Sequence, residues 1–220
     1  MQQILVLSDT HSYLDPRLIP HVEACDQIWH GGDWGSVAVA DTLMGFGKPV
    51  YGVYGNIDDR TIRNMFPKIA RFTCEQVTVA MTHIAGAPSS YKPDALEAFS
   101  MGLPMIFVCG HSHILQVKRD QNRNQMLFLN PGAAGQHGFH SEQTALQFKI
   151  DGKRIYEMEL IQMPRIHLII KEFGRTGCFR IHCLSGRILK SNHRLRRHPL
   201  HRKPLLDLGQ CRIHQKQNRL

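Results

Sequence analysis

Short apolar runs at residues 4–7, 27–29 and 50–54 alternate along the chain with amphipathic stretches at 16–24 and 36–46. Runs this short and this apolar read as strands buried on both faces, and the longer mixed stretches read as helices. The resulting β-α-β-α-β order predicts a sheet with parallel members and helices packed against it. From residue 69 the pattern changes to two closely spaced strands, 69–74 and 76–82, rich in β-branched residues. A helix follows at 93–101, opened by a proline in its first turn, where the missing N–H costs nothing. Further runs at 105–109, 114–119 and 126–129 read as strands, the last two separated by the polar stretch 120–124 that suits a hairpin turn. Strands 144–150 and 154–160 flank Asp151, Gly152 and Lys153, a second hairpin signal. These elements predict an α/β fold of two mixed β-sheets packed face to face as a sandwich, with flanking helices.

After residue 164 the periodicity degrades. Residues 165–220 hold 14 Lys and Arg against 2 acidic side chains, whereas residues 1–164 hold 13 basic and 16 acidic ones. The formal charge of +9 is therefore a property of the C-terminal segment alone. This division predicts a domain at 1–164 and a basic, poorly ordered extension at 165–220. Such a segment can attract nucleic-acid phosphates by charge without a specific fold. Within it, Cys178, Cys183, His193 and His198 have a spacing near that of a zinc finger, but the central gap is shorter than the usual ~12 residues, so no zinc site is expected there.

The six cysteines include no Cys-x-x-Cys pair, and a chain of 220 residues needs no disulfide to fold. No apolar run approaches the ~20 residues of a membrane span, and the N-terminal residues lack the plan of a signal peptide. The expectation is a cytoplasmic protein without a membrane partner.

The chemistry gathers where strands end. Asp9 and His11 follow the first strand, Asp33 the second, Asn56 and Asp58 the third, His83 the strand at 76–82, and His111 and His113 the strand at 105–109. In sheets with parallel strands the carboxyl-terminal strand ends share one edge, so these segments can converge. Their oxygen and nitrogen donors suit manganese, iron or zinc better than a thiolate site would. Seven ligands, Asp9, His11, Asp33, Asn56, His83, His111 and His113, are too many for one catalytic ion and about right for two.

In order, the motifs Asp-Thr-His, Gly-Gly-Asp, Gly-Asn-Ile-Asp, Thr-His and Gly-His-Ser-His resemble those of the calcineurin-like metallophosphoesterases. Their short spacing, the Asn130-Pro131-Gly132 stretch and two closing strands are most similar to the small YfcE-type phosphodiesterases, over residues 1 to about 162. The resemblance implies the metallophosphoesterase fold and two divalent ions, manganese first, with zinc, iron and nickel also compatible. It implies that Asp9, His11 and His113 hold one ion, that Asp33 bridges both, and that Asn56, His83 and His111 complete the second. Asn56 would also touch the substrate phosphate, and Asp58 would orient a ligand or a substrate-bound water. Asn56, Asp58 and His83 are thereby the implied catalytic group. The glycines at 31, 32, 55 and 110 would permit the turns that aim these ligands.

The activity so implied is hydrolysis of a small phosphodiester by in-line attack of metal-bound hydroxide. One departure carries mechanistic weight: many larger relatives have histidine where this chain has Ile57, which removes a proton donor for the leaving group. Another is Ala133, where the family has serine. The alternative is a non-catalytic protein-interaction scaffold, since the family includes a retromer subunit that uses the fold in that way. Loss of a ligand histidine would favour it, and His11, His83, His111 and His113 are all present.

His21, His30, His137 and His140 match no ligand position and are expected in ordinary structural roles. Asp59 and Arg60 read as a helix start rather than as phosphate contacts. Trp34, beside a turn, reads as a packing residue rather than a base-stacking platform.

Overall fold

The computed structural model describes residues 1–165 in full and, beyond them, the backbone of three strands. Strands β1 (Gln2–Leu7), β2 (Gln27–His30) and β3 (Val50–Gly52) lie parallel and adjacent. Helix α1 (Ile19–Ala24) joins the first two and α2 (Val37–Met44) joins the second to the third. Helix α3 (Arg60–Met65) leads into β4 (Ile69–Cys74), which pairs antiparallel with β5 (Val77–Thr82). A small hairpin, β6 (Gly86–Ala87) with β7 (Ser90–Tyr91), precedes α4 (Pro93–Ser100) and β8 (Ile106–Val108). Then come β9 (Leu115–Asp120), β10 (Met126–Pro131), β11 (Glu142–Asp151) and β12 (Arg154–Pro164). One sheet has the order β12-β11-β1-β2-β3 and the other β4-β5-β8-β10-β9, both mixed.

Side-chain alternation decides how these sheets stack. Ile4 and Val6 of β1 point into a cluster with Trp29, Leu146 and Phe148, where they meet Val79, Met81, Ile106, Val108 and Leu129 of the second sheet. Leu5 and Leu7 point the other way and pack with Val22 of α1, Ala40 and Leu43 of α2 and Ile62 of α3. The outer face of the second sheet, with Ala80, Phe107 and Phe128, receives Ala95 and Ala98 of α4. The layers are therefore helix, sheet, sheet, helix, with the two-sheet sandwich that the sequence pattern predicts. Strands covered on both faces explain the continuous apolar runs.

Two local departures have simple causes. The predicted helix at 16–24 is broken into a 3-10 turn, Pro16–Leu18, and α1. Pro20 has no N–H to give the Pro16 carbonyl, so Ile19 N–H takes it instead, which is the tighter 3-10 bond. Helix α3 escaped the apolar pattern because only Ile62 of its six residues is buried. Asp59 caps it by accepting from Thr61 and Ile62 N–H at 2.9 and 3.0 Å, so the helix-start reading of Asp59 and Arg60 holds.

Residues 166–220 form a separate unit. There β13 (Leu168–Phe173), β14 (Cys178–Cys183) and β15 (Ile188–Leu189) pair antiparallel in that order, within a stretch whose sequence shows no sustained periodicity. His193 and His198, and the basic run around them, lie outside the described residues. No helix among the described residues is long and apolar enough to cross a membrane.

Candidate metal centre

Parallel pairing puts the carboxyl-terminal ends of β1, β2 and β3 side by side, and does the same for β5, β8 and β10 in the second sheet. The loops leaving these ends are stitched together by backbone hydrogen bonds. Asp9 N–H donates to Gly32 C=O at 2.9 Å, His11 N–H to Asp33 C=O at 3.1 Å, and Gly110 N–H to His83 C=O at 3.1 Å. Loops from both sheets thus form one surface, and all the predicted ligands stand on it.

The ligands fall into two groups, each with donor atoms within 4.8 Å of one another: Asp9, His11 and His113, and Asp33, His83 and His111. In the first, His113 Nε2 lies 3.2 Å from Asp9 Oδ1 and 3.3 Å from His11 Nε2. In the second, His83 Nε2 lies 3.2 Å from Asp33 Oδ1 and 3.2 Å from Asn56 Oδ1, which is 2.8 Å from His111 Nδ1. Asp33 links the groups, because its other oxygen is 3.8 Å from His11 Nε2.

Electrostatics favour a cation at each group. Burial alone would lower the His83 pKa, but its hydrogen bond to Asp33 and the charges of Asp9 and Asp33 outweigh burial and raise it. Burial would raise the Asp33 pKa, yet His83, the Ile57 N–H and His11 hold it below the ordinary carboxylate value. At His11 burial wins over the two aspartates and lowers the pKa, so its imidazole stays a neutral donor. The Asp33 carboxylate kept charged, beside imidazole nitrogens that face it, belongs to a donor set that fits divalent ions.

The aim of each ligand is fixed from behind. Nδ1 of His83 faces Gly31 C=O at 2.8 Å and donates to it, which makes Nε2 the nitrogen that faces the site. Asp9 accepts from Ser8 Oγ–H at 2.7 Å and from His111 N–H at 3.1 Å. Asn130 Nδ2 donates to Gly110 C=O at 2.8 Å and Ser112 Oγ at 3.0 Å, holding the Gly-His-Ser-His turn. Asp58 is buried, and its oxygens accept from Gly35 N–H at 2.9 Å and Gly55 N–H at 2.7 Å. It therefore ties the loop after Asp33 to the turn carrying Asn56, a positioning role rather than contact with a reacting atom. A Cβ at Gly55 would lie 2.0 Å from Asp33 Oδ1, so only glycine lets that turn approach.

The remaining residues singled out in the sequence settle into the core or the rim. Trp34 is fully buried between His30 and Phe66, with ring centroids at 3.6 and 4.3 Å, and its indole N–H donates to Val53 C=O at 2.9 Å. It packs, as expected, and cannot stack on a ligand. Gly32 N–H donates to His30 Nδ1 at 3.2 Å, so the His30 proton is on Nε2, facing Thr10 Oγ1 at 3.0 Å. Burial holds this imidazole well below its ordinary pKa. His21 pairs with Gln147 Oε1 at 3.0 Å, away from the site. Ile57 is exposed and brings only its backbone N–H, 3.1 Å from Asp33 Oδ1.

Two histidines prove closer than their motif positions suggest. The His137 ring lies 4.9 Å from that of His11, and the His140 ring 5.2 Å from that of His113. A local sequence signal for this proximity is lacking, because their loop reaches the site through long-range contacts, the pairing of β11 with β1 and the bonds of Ala134 and Gly135 N–H to Ser8 and Asp9 C=O.

A sandwich of this topology with carboxylate and imidazole donors gathered on its edge is the plan of a metallophosphoesterase. The family model for the calcineurin-like phosphoesterase superfamily domain matches residues 2–153, and the chain belongs to that superfamily. Among solved structures, a Thermotoga maritima protein is 26% identical with a TM-score of 0.59, the match covering 74% of this chain and 100% of that one. Vps29 from Entamoeba histolytica is 17% identical with a TM-score of 0.58, covering 74% and 99%. A structure described as a novel archaeal phosphodiesterase is 18% identical with a TM-score of 0.54, covering 72% and 99%. No curated protein gives a match.

Proposed function

We propose that the protein is a dinuclear metal-dependent phosphodiesterase. The carrying observation is the pair of ligand groups linked through Asp33, with both sets of lone pairs aimed into one edge of the sandwich. Asp9, His11 and His113 hold one ion, Asn56, His83 and His111 the other, and Asp33 reaches both. When bound, the two ions supply an activated water and neutralise charge on the phosphoryl oxygens. Manganese is the favoured metal, the donor set also admitting zinc, iron and nickel.

The side chains do the rest by position. Asn56 directs its amide at the same point as His83 and His111, so its NH₂ group is available to a phosphoryl oxygen. Beside Asn56 and His83 opens a groove of about 240 Å³, walled by Tyr54 and Ile84 and carrying Arg63 and Lys68. It suits the ester group of a small diester held at the metals. Lys68 is neutralised by Asp94 and Glu97, each at 3.0 Å, while Arg63 donates to the backbone carbonyls at 55, 56 and 58, lies over the Tyr54 ring at 4.5 Å and forms no ion pair among the described residues. With Ile57 in place of a proton donor, diesters with good leaving groups are preferred.

The scaffold alternative draws on the exposed apolar residues Ile114, Leu115 and Val117 at and beside the edge strand β9. One experiment separates the two: hydrolysis of bis(p-nitrophenyl) phosphate by metal-stripped protein, with and without added manganese, beside Asp33→Asn. Manganese-dependent turnover that drops by on the order of 10² or more in the variant is the expected result. No turnover by folded protein with manganese, zinc, iron or nickel would leave the scaffold reading.

A further inference from the structure

We propose that His140 is the positioning residue for His113, its bare Nδ1 accepting the His113 Nδ1 proton beside Gly138. The inference rests on His113 being a metal ligand. His113 turns Nε2 toward Asp9 and His11, so in a loaded site its proton resides on Nδ1, and an imidazole ligand is oriented by whatever accepts that proton.

The acceptor is prepared. His140 donates from Nε2 to Gly135 C=O at 3.0 Å, which fixes its tautomer and leaves Nδ1 with a bare lone pair. That Nδ1 is buried and has no partner among the described residues, an arrangement that costs free energy unless something satisfies it.

A Cβ at Gly138 would lie 2.4 Å from His113 Nδ1 and 3.2 Å from His140 Nδ1, so only glycine lets both rings close on this point of the loop. Gly138 also sits at φ 116°, a conformation other residues rarely adopt. The loop that presents these groups is anchored by Arg165, whose Nη1 donates to Gly138 and His140 C=O at 2.9 Å each and whose Nη2 donates to Gln136 C=O. A guanidinium bound to three carbonyls fixes the backbone on both sides of Gly138. In the loaded site His113 Nδ1–H donates to His140 Nδ1, which satisfies both.

The test is calorimetric titration of the metal-stripped full chain with manganese, comparing wild type, His140→Phe and His140→Asn. Phenylalanine keeps the ring volume and removes the acceptor, whereas asparagine can place an amide oxygen where Nδ1 stands. The expected result is two binding steps in wild type, one of them weakened about 10- to 100-fold in His140→Phe and largely restored in His140→Asn. Equal affinities in wild type and a folded His140→Phe would overturn the proposal, as would His140→Asn binding as weakly as the phenylalanine variant. Should neither variant fold, the imidazole ¹⁵N–¹H spectrum of zinc-loaded wild type decides. A His113 Nδ1–H protected from exchange supports the proposal, and a rapidly exchanging one refutes it. Wild type that binds no second ion would instead refute the dinuclear reading beneath it.

Discussion

The space between the two sheets and the edge where their strands end are built on opposite terms. Between the sheets, Ile4, Val6, Trp29, Val79, Ile106 and Phe148 are apolar, buried and in ordinary strand conformations. Along the edge, Asp9, Asp33 and His83 are buried polar groups. Asp9, His11, Asp33, His111 and His113 all have φ between 46° and 68°. Among the described residues, five of the ten non-glycine positions with positive φ are thus candidate ligands, which gathers much of the backbone strain at the site. Each costs about 1 kcal/mol or more in backbone energy. The difference teaches a division of labour: the interior supplies the stability that holds the edge in a shape its own residues would not choose.

The largest effect should come from the interior. Trp29 meets Phe72 of the second sheet and Phe148 of its own, with ring centroids at 5.2 and 5.7 Å. Trp29→Ala should lose about 3–5 kcal/mol in chemical denaturation. At low temperature, where the variant is still folded, its metal stoichiometry should match wild type. A variant that kept its stability would break the comparison at its root.

Next comes a residue belonging to both regions. Asp58 is buried like the core but polar like the edge, and Asp58→Ala leaves the Gly35 and Gly55 amides without their acceptor. The expected cost is about 2–4 kcal/mol, together with a fall in turnover as the Asp33 and Asn56 loops separate. Asp33→Asn provides the contrast, losing turnover with little loss of stability. If Asp58→Ala lost turnover alone, the residue would act on substrate rather than on the loops.

A smaller effect, away from the edge, concerns pH. Asp15 is buried, and although burial alone would raise its pKa, the Arg17 guanidinium and backbone N–H lower it below the ordinary 3.8. A depressed folded-state pKa stabilises the protein above the unfolded value, and that contribution is lost as pH falls through the folded one. Asp15→Asn should therefore cost about 1–2 kcal/mol at neutral pH, with the gap to wild type closing below pH ~3.8. Parallel denaturation curves across that range check it, and a gap that widened in acid would reverse the sign.

The same division decides what was legible in the sequence. Interior strands announce themselves because two-sided burial writes uninterrupted apolar runs, so the runs at 4–7 and 126–129 fall within the observed strands. Ligands were legible because each follows a strand that fixes where it can stand. Helix α3 was not, having a single buried residue, nor was the β6–β7 hairpin of two-residue strands. His140 was invisible for a different reason: its meaning depends on Gly138 and Arg165, and on a loop brought to His113 across 27 residues of sequence. Tertiary contacts of that kind leave no local pattern.

The smallest predicted effect tests the strain itself. His111 is exposed and held at φ 68°, so neither burial nor its side chain explains that backbone. What holds it is the chain around it: the His111 N–H donates to Asp9, and Asn130 grips the carbonyl of Gly110 next door. Both His111→Ala and His111→Gly remove the imidazole and should weaken the second ion equally, yet they differ in what they ask of the backbone. Glycine enters the left-handed region without a Cβ clash, whereas alanine pays for it. In the metal-free protein His111→Gly should be the more stable of the two by about 1 kcal/mol, although at an ordinary exposed site glycine is the less stable choice. Denaturation midpoints of the two variants read this directly. The reverse order would mean that the edge carries no strain, and that its ligands are aimed by their hydrogen bonds alone.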